Sequence, residues 1–248
     1  MATVDQPGMR ALAVLSLLLA TTLGGCLEME QTVNLAADGS GQQTVRLAIR
    51  EATLADVERA SSAAAAATTQ TRAVFEKEQV AAELAEAGLV LASHQTDRKA
   101  GRRTVDIAAT FPTFAALQKS PLAGSRAEWV LAAGPKPGTA KLTLYPQGKA
   151  AWTEARAKAD AMQTENDAVA EAFFRKKQTE LTGLDLIVRF QVPGDVLVWT
   201  ANMEKTGPRE VTARVTADQI KTPQDLVRRL APRFEVIFDA TGCKLPLQ

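Results

Sequence analysis

The residue types that most often carry chemistry are sparse in this chain. It has one His, His94, and two Cys, Cys26 and Cys243, among 248 residues. Folding two strands back across Asp97-Arg98-Lys99-Ala100-Gly101, with Ala100 at the centre, sets His94 opposite Asp106. A His–Asp pair supplies two parts of a hydrolytic triad. No Ser stands in a Gly-x-Ser-x-Gly context, however, so the pair reads as a solvated cross-strand contact. One His and two Cys are too few for a zinc finger or a His-rich metal site. Gly39 and Gly41 flank a hairpin turn, not a strand-to-helix junction, so they cradle no phosphate. Glu28/Glu30 and Glu76/Glu78 read as solvated faces. The sequence therefore nominates no catalytic residue, no metal and no cofactor. A net charge of +1 excludes polyanion binding by bulk charge. Aromatics at 5% supply no base-stacking surface, so nucleic acid is not an expected partner. The basic runs Arg98 to Arg103 and Arg175-Lys176-Lys177 read as a hairpin tip and a helix face; contact with anionic head groups is the alternative.

The N-terminus carries the strongest signal. Arg10 precedes an uncharged apolar run, residues 11–20, followed by Thr21-Thr22-Leu23-Gly24-Gly25-Cys26. A base, a short apolar stretch and small residues make a secretory signal. The run falls short of the roughly 20 residues of a membrane span. Met9-Arg10-Ala11-Leu12 is a better signal start than the acidic Met1–Gly8, so translation is expected to begin at Met9. Leu23-Gly24-Gly25-Cys26 resembles the bacterial lipobox. The resemblance implies cleavage between Gly25 and Cys26, loss of residues 1–25, and acylation (palmitate-type chains) of Cys26. The partner is then the membrane, held through lipid on Cys26. Two or more acyl chains anchor stably where one does not. Leu27 after the Cys, rather than Asp, implies the periplasmic face of the outer membrane in a Gram-negative cell. With Cys26 acylated, Cys243 has no intramolecular partner; it reads as a half-buried tail thiol, with an intermolecular disulfide as the alternative.

The elements that must position these residues follow from periodicity. Leu27, Met29, Val33 and Leu35 alternate with polar residues, as do Val45, Leu47 and Ile49 beyond Asp38-Gly39. That is a hairpin. Centring it on Gly39 pairs Val33 with Val45, Met29 with Ile49 and Glu28 with Arg50. No polar linker separates Cys26 from this hairpin, so the domain is expected to sit close against the membrane. Residues 61–69 are low-complexity and Ala-rich. Helices are expected over Phe75–Ala87, stopped by Gly88, and over Thr113–Lys119. Hairpins are expected across 97–101 and 134–138. A long helix is expected over about 149–181. Its stripe of Trp152, Ala155, Ala159, Met162, Val169 and Phe173 packs on a sheet or a second helix, or serves as a coiled-coil arm. Strands follow at Leu184–Val192, Val196–Trp199, Arg209–Thr216 and Phe234–Asp239, with a helix starting at Thr222-Pro223. Hairpins interleaved with helices predict α+β: a mainly antiparallel sheet built from hairpins, packed with a long helix and shorter helices, as one domain over 26–248.

Cys26 leading straight into a strand, the Asp38-Gly39 hairpin and the Val192-Pro193-Gly194-Asp195-Val196 turn together resemble the bacterial LppM-like envelope lipoproteins. That resemblance implies a cell-envelope location and this architecture, and it transfers no catalytic residue. The expected role is a membrane-anchored binding or scaffold module, not an enzyme, whose partner is a protein or an apolar ligand. An envelope enzyme with an unrecognised site, or a structural protein assembling through the long helix, is the alternative. An apolar groove favours the first, a polar cleft with shifted pKa values the second, an exposed stripe the third.

Overall fold

The N-terminal alternation becomes two strands, β1 (Leu27–Leu35) and β2 (Gly41–Arg50), whose odd-numbered residues face inward. The computed structural model describes residues 27–54, 74–162 and 168–247. Beyond β2 come α1 (Lys77–Glu86), β3 (Val90–Lys99), β4 (Arg102–Phe111), α2 (Phe114–Gln118), β5 (Glu128–Ala133), β6 (Thr139–Tyr145), α3 (Lys149–Met162) and α4 (Ala168–Glu180). The chain ends with β7 (Asp185–Gln191), β8 (Val196–Trp199), β9 (Glu204–Gly207), β10 (Glu210–Thr216), α5 (Pro223–Leu230) and β11 (Phe234–Asp239). Seven strands form one sheet in the order β3-β4-β2-β1-β7-β10-β9, and four form another in the order β5-β6-β11-β8. All neighbours are antiparallel except β1 and β7. The class is α+β with mostly antiparallel sheet, as the hairpin pattern predicts.

The registers differ from those expected, for local reasons. In the first hairpin Val33 pairs with Gln43, Met29 with Leu47 and Leu27 with Ile49. The loop is centred on Asp38, whose carboxylate accepts from the Ser40 amide (2.9 Å) and hydroxyl (2.6 Å). Those bonds hold the Asp38 carboxyl below its usual range. A shift of two residues leaves every side chain on its own face, because the pleat repeats every two. Glu28 consequently bridges Arg102 (2.7 Å) and not Arg50. In the β3–β4 hairpin the loop is Ala100-Gly101, both at positive φ, a two-residue turn that matches strand twist. Its centre lies half a residue beyond Ala100, so His94 pairs with Ile107, and Gln95 takes the place opposite Asp106. Ala92 is then the extra residue of a bulge between Leu91 and Ser93.

The inner faces of the two sheets meet at the core. Trp129 on β5 lies 5.7 Å, centroid to centroid, from Phe190 on β7, and Val33 pairs beside Phe190. Val80 and Leu84 of α1, with Phe114 and Leu117 of α2, extend the same cluster. The outer face of the larger sheet is laced by charge pairs: Arg46–Asp106 (3.8 Å), and Arg189 between Glu30 (2.7 Å) and Glu210 (3.6 Å). Two glutamines break the apolar rule inside. Gln31 and Gln43 are fully buried. Ser120 Oγ donates to Gln43 Oε1, but neither amide atom of Gln31 meets a hydrogen-bond partner in the protein.

The expected 149–181 helix is present as α3 and α4; residues 163–167 lie outside the described residues, as does the 61–69 stretch. The described part of the stripe takes the second-helix alternative, with Trp152 against Tyr145 at the end of β6. α3 packs on α5, with Ala159 buried, Arg228 reaching Asp160 (3.2 Å) and the Gln224 amide donating to the Met162 carbonyl (3.1 Å). Pro193-Gly194 is a turn between strands, as expected. It carries the chain from β7 in the large sheet to β8 at the edge of the small one. The crossing is tight: a Cβ on Gly194 would collide with the Asp239 carbonyl. β9, four residues long and polar, was not anticipated.

Two predictions follow from this packing. Gln31→Met keeps the volume and removes two unsatisfied polar atoms. It should raise the unfolding free energy by about 1–3 kcal/mol, read as a higher urea midpoint at unchanged slope. Glu210 accepts from the Gln191 amide (2.9 Å) and the Thr206 hydroxyl (2.7 Å), and these bonds, with Arg189, hold its carboxyl below the usual range. A lowered native pKa contributes stability above the unfolded value and loses it as pH falls through the native one. The stability gap between wild type and Glu210→Gln should therefore be full at neutral pH and close in acid, as followed by urea unfolding across pH.

Candidate functional site

Cys26 and Gly25 lie outside the described residues. Leu27, the residue after Cys26, already opens β1 and pairs with Ile49. His94 is half-buried, with Nε2 3.0 Å from the Val74 carbonyl. Asp106 pairs with Arg46 and does not face His94, so the two are not brought together. Cys243 is a free, half-buried thiol in the C-terminal tail, where its amide donates to the Ala240 carbonyl (3.0 Å). Glu76 lies 3.8 Å from Arg103.

The feature with the geometry of a binding site lies at one end of the sandwich. β7 and β10 turn Leu186, Val188, Ala213 and Val215 toward the interior, because apolar residues alternate along both strands. The smaller sheet stops short of them. β6 ends at Tyr145 and β11 begins at Phe234, so Pro146, Gln147 and Pro232 form a rim rather than a continuing sheet. α5 covers the gap. Its start is fixed by a capping box: the Thr222 hydroxyl accepts from the Asp225 amide (3.0 Å), and the Asp225 carboxylate accepts from the Thr222 amide (3.1 Å). With Pro223 at the first helical position, this is the helix start that Thr222-Pro223 predicts. Leu226 then points inward beside Phe174, Ile220, Leu181 and Leu184.

What remains is an apolar cavity of about 70 Å³ with Arg229 and Gln147 as its polar members. That volume suits a short alkyl segment rather than a whole drug-sized ligand. Each buried methylene contributes about 0.8 kcal/mol, so a four-carbon segment is worth about 3 kcal/mol before the costs of association. The apolar faces of β7 and β10 were visible as alternation. Leu226 and Arg229 were not singled out; the only signal was their three-residue spacing on a short, well-capped helix.

Among the described residues, no helix is long and apolar enough to cross a membrane. No protein-family model matches the chain, and no curated protein matches it. Among solved structures, it is similar to the folded domain of the Mycobacterium tuberculosis LppM protein, determined by NMR, at 10% sequence identity over 88% of this chain and 92% of that one, with a TM-score of 0.44.

Proposed function

We propose that this chain is a lipoprotein of the bacterial cell envelope, anchored through acyl chains on Cys26, whose domain binds an apolar ligand. The lipobox supports the anchor. The single observation that carries the binding reading is the cavity under α5: apolar walls drawn from both sheets, α5 and the segment after α4, with one cation at its edge. Among the described residues, the carboxylates with displaced pKa values, Asp38, Glu210 and Asp239, are held by turn and surface hydrogen bonds and do not line this cavity. That distribution favours binding over catalysis. The start of β1 at Leu27 supports a domain held close to the bilayer, with no spacer between anchor and sheet.

The experiment has two arms. In a lipoprotein-processing bacterium fed alkyne-palmitate, the wild-type chain should take up label and Cys26→Ser should not; an unlabelled wild type overturns the anchor. The purified chain in neutral detergent should bind a medium-chain fatty acid, by calorimetry. Leu184→Trp, which fills the cavity from a half-buried position, should weaken that binding by about tenfold or more, the equivalent of losing two or so buried methylenes. Equal binding by wild type and variant overturns the ligand reading.

A further inference from the structure

A second cavity lies on the other side of α5, and nothing in the apolar reading uses it. It is a cleft of about 360 Å³ between α3, α5 and the connection that follows β8. Its lining includes Trp152, Arg156, Asp160, Thr200, Arg228 and Arg233. The arginines are brought together by three separate elements. Arg156 comes from α3, Arg228 from α5, and Arg233 from the segment leading into β11.

Their positions are set by contacts within the cleft. The Arg233 guanidinium carbon lies 4.8 Å from the centroid of the Trp152 ring, and that of Arg156 lies 5.8 Å from it. Trp152 is itself fixed against Tyr145, at 5.6 Å between centroids. Asp160 lies 3.2 Å from Arg228 and 4.0 Å from Arg156. Glu235 is 4.0 Å from Arg233, outside the lining, and also accepts from the Thr143 hydroxyl (3.2 Å). Thr200 Oγ1 accepts from the Glu235 amide (3.2 Å), which leaves its own proton free to donate.

The three guanidinium groups therefore meet two carboxylates, Asp160 in the lining and Glu235 beside Arg233. Like charges gathered this way repel, and two carboxylates leave one positive charge unbalanced. An anion balances it. Guanidinium forks match the oxygens of a phosphate group two at a time, and such charge-assisted bonds are about twice as strong as neutral ones. The indole holds the Arg156 and Arg233 side chains in place beforehand, which lowers the ordering cost of binding.

We infer that this cleft is a binding site for a phosphate-bearing anion, with Arg156, Arg228 and Arg233 as its ligands and Thr200 as an additional donor. The phosphate belongs either to a soluble phosphate ester or to a lipid head group. Pro232 lines this cleft and the apolar cavity alike, so a head group here leaves its chain within reach of the other site.

The test titrates the full chain, in neutral detergent, with glycerol 3-phosphate and separately with dihexanoyl phosphatidylglycerol, following the Trp152 indole resonance. Saturable binding of at least one probe is expected. Arg228→Gln and Arg233→Gln should each weaken it by about tenfold or more, the cost of one charge-assisted hydrogen bond. Asp160→Asn removes the competing carboxylate and should tighten it several-fold, so the proposal stays testable if an arginine variant folds poorly. Response to glycerol 3-phosphate identifies a soluble ester as sufficient; response to the lipid alone identifies the head group. Binding of neither probe, or binding unmoved by all three substitutions, overturns the proposal. Leu184→Trp should leave glycerol 3-phosphate binding unchanged, which separates failure here from failure of the apolar site.

Discussion

The fold depends on β1 lying in the interior of the seven-stranded sheet. It pairs antiparallel with β2 on one side and parallel with β7 on the other, so its backbone is hydrogen-bonded along both edges. Its inward residues, Met29, Val33 and Leu35, are in the main apolar cluster. Removing β1 would separate the β3-β4-β2 half of the sheet from the β7-β10-β9 half. This strand is also the first described part of the chain, one residue beyond Cys26. β1 cannot leave the sheet without dismantling the core, and that is the strand the anchor proposed at Cys26 would lead into.

Much of this was legible because inward and outward residues alternate locally. The faces of β1, β2, β4, β7, β10 and β11 follow from period two alone. Registers were less legible, because they depend on where the turn closes. Asp38 and Ser40 close the first loop one residue before Gly39, and the two-residue slip costs nothing in burial. Ala100 and Gly101 share the second turn equally, and the one-residue slip removes Asp106 from His94. Pairings between distant segments left no local trace. The parallel β1–β7 ladder joins residues more than 150 positions apart, and β8 changes sheets through a glycine whose need is visible only beside the Asp239 carbonyl.

The apolar cavity was illegible for a related reason. It arises from a mismatch between layers: the small sheet ends at Tyr145 and Phe234 while β7 and β10 run on beneath. A mismatch of lengths between two sheets has no signature in either strand's sequence. The helix that covers it was legible at its start, through Thr222 and Pro223, but not in what it covers.

α5 stands between the two cavities. Eight residues are too few for a helix to persist alone in water, so its position depends on its cap, on Leu226 in the small apolar cluster, and on Gln224 and Arg228 reaching α3. Neighbouring residues on a helix diverge by about 100°. Arg228 and Arg229 accordingly line different cavities, the first the arginine cleft and the second the apolar one. The same eight residues form a wall of both. The two cavities share one wall, a helix that is weakly stable by itself, so the shape of each depends on the same cap and on the same contacts with α3.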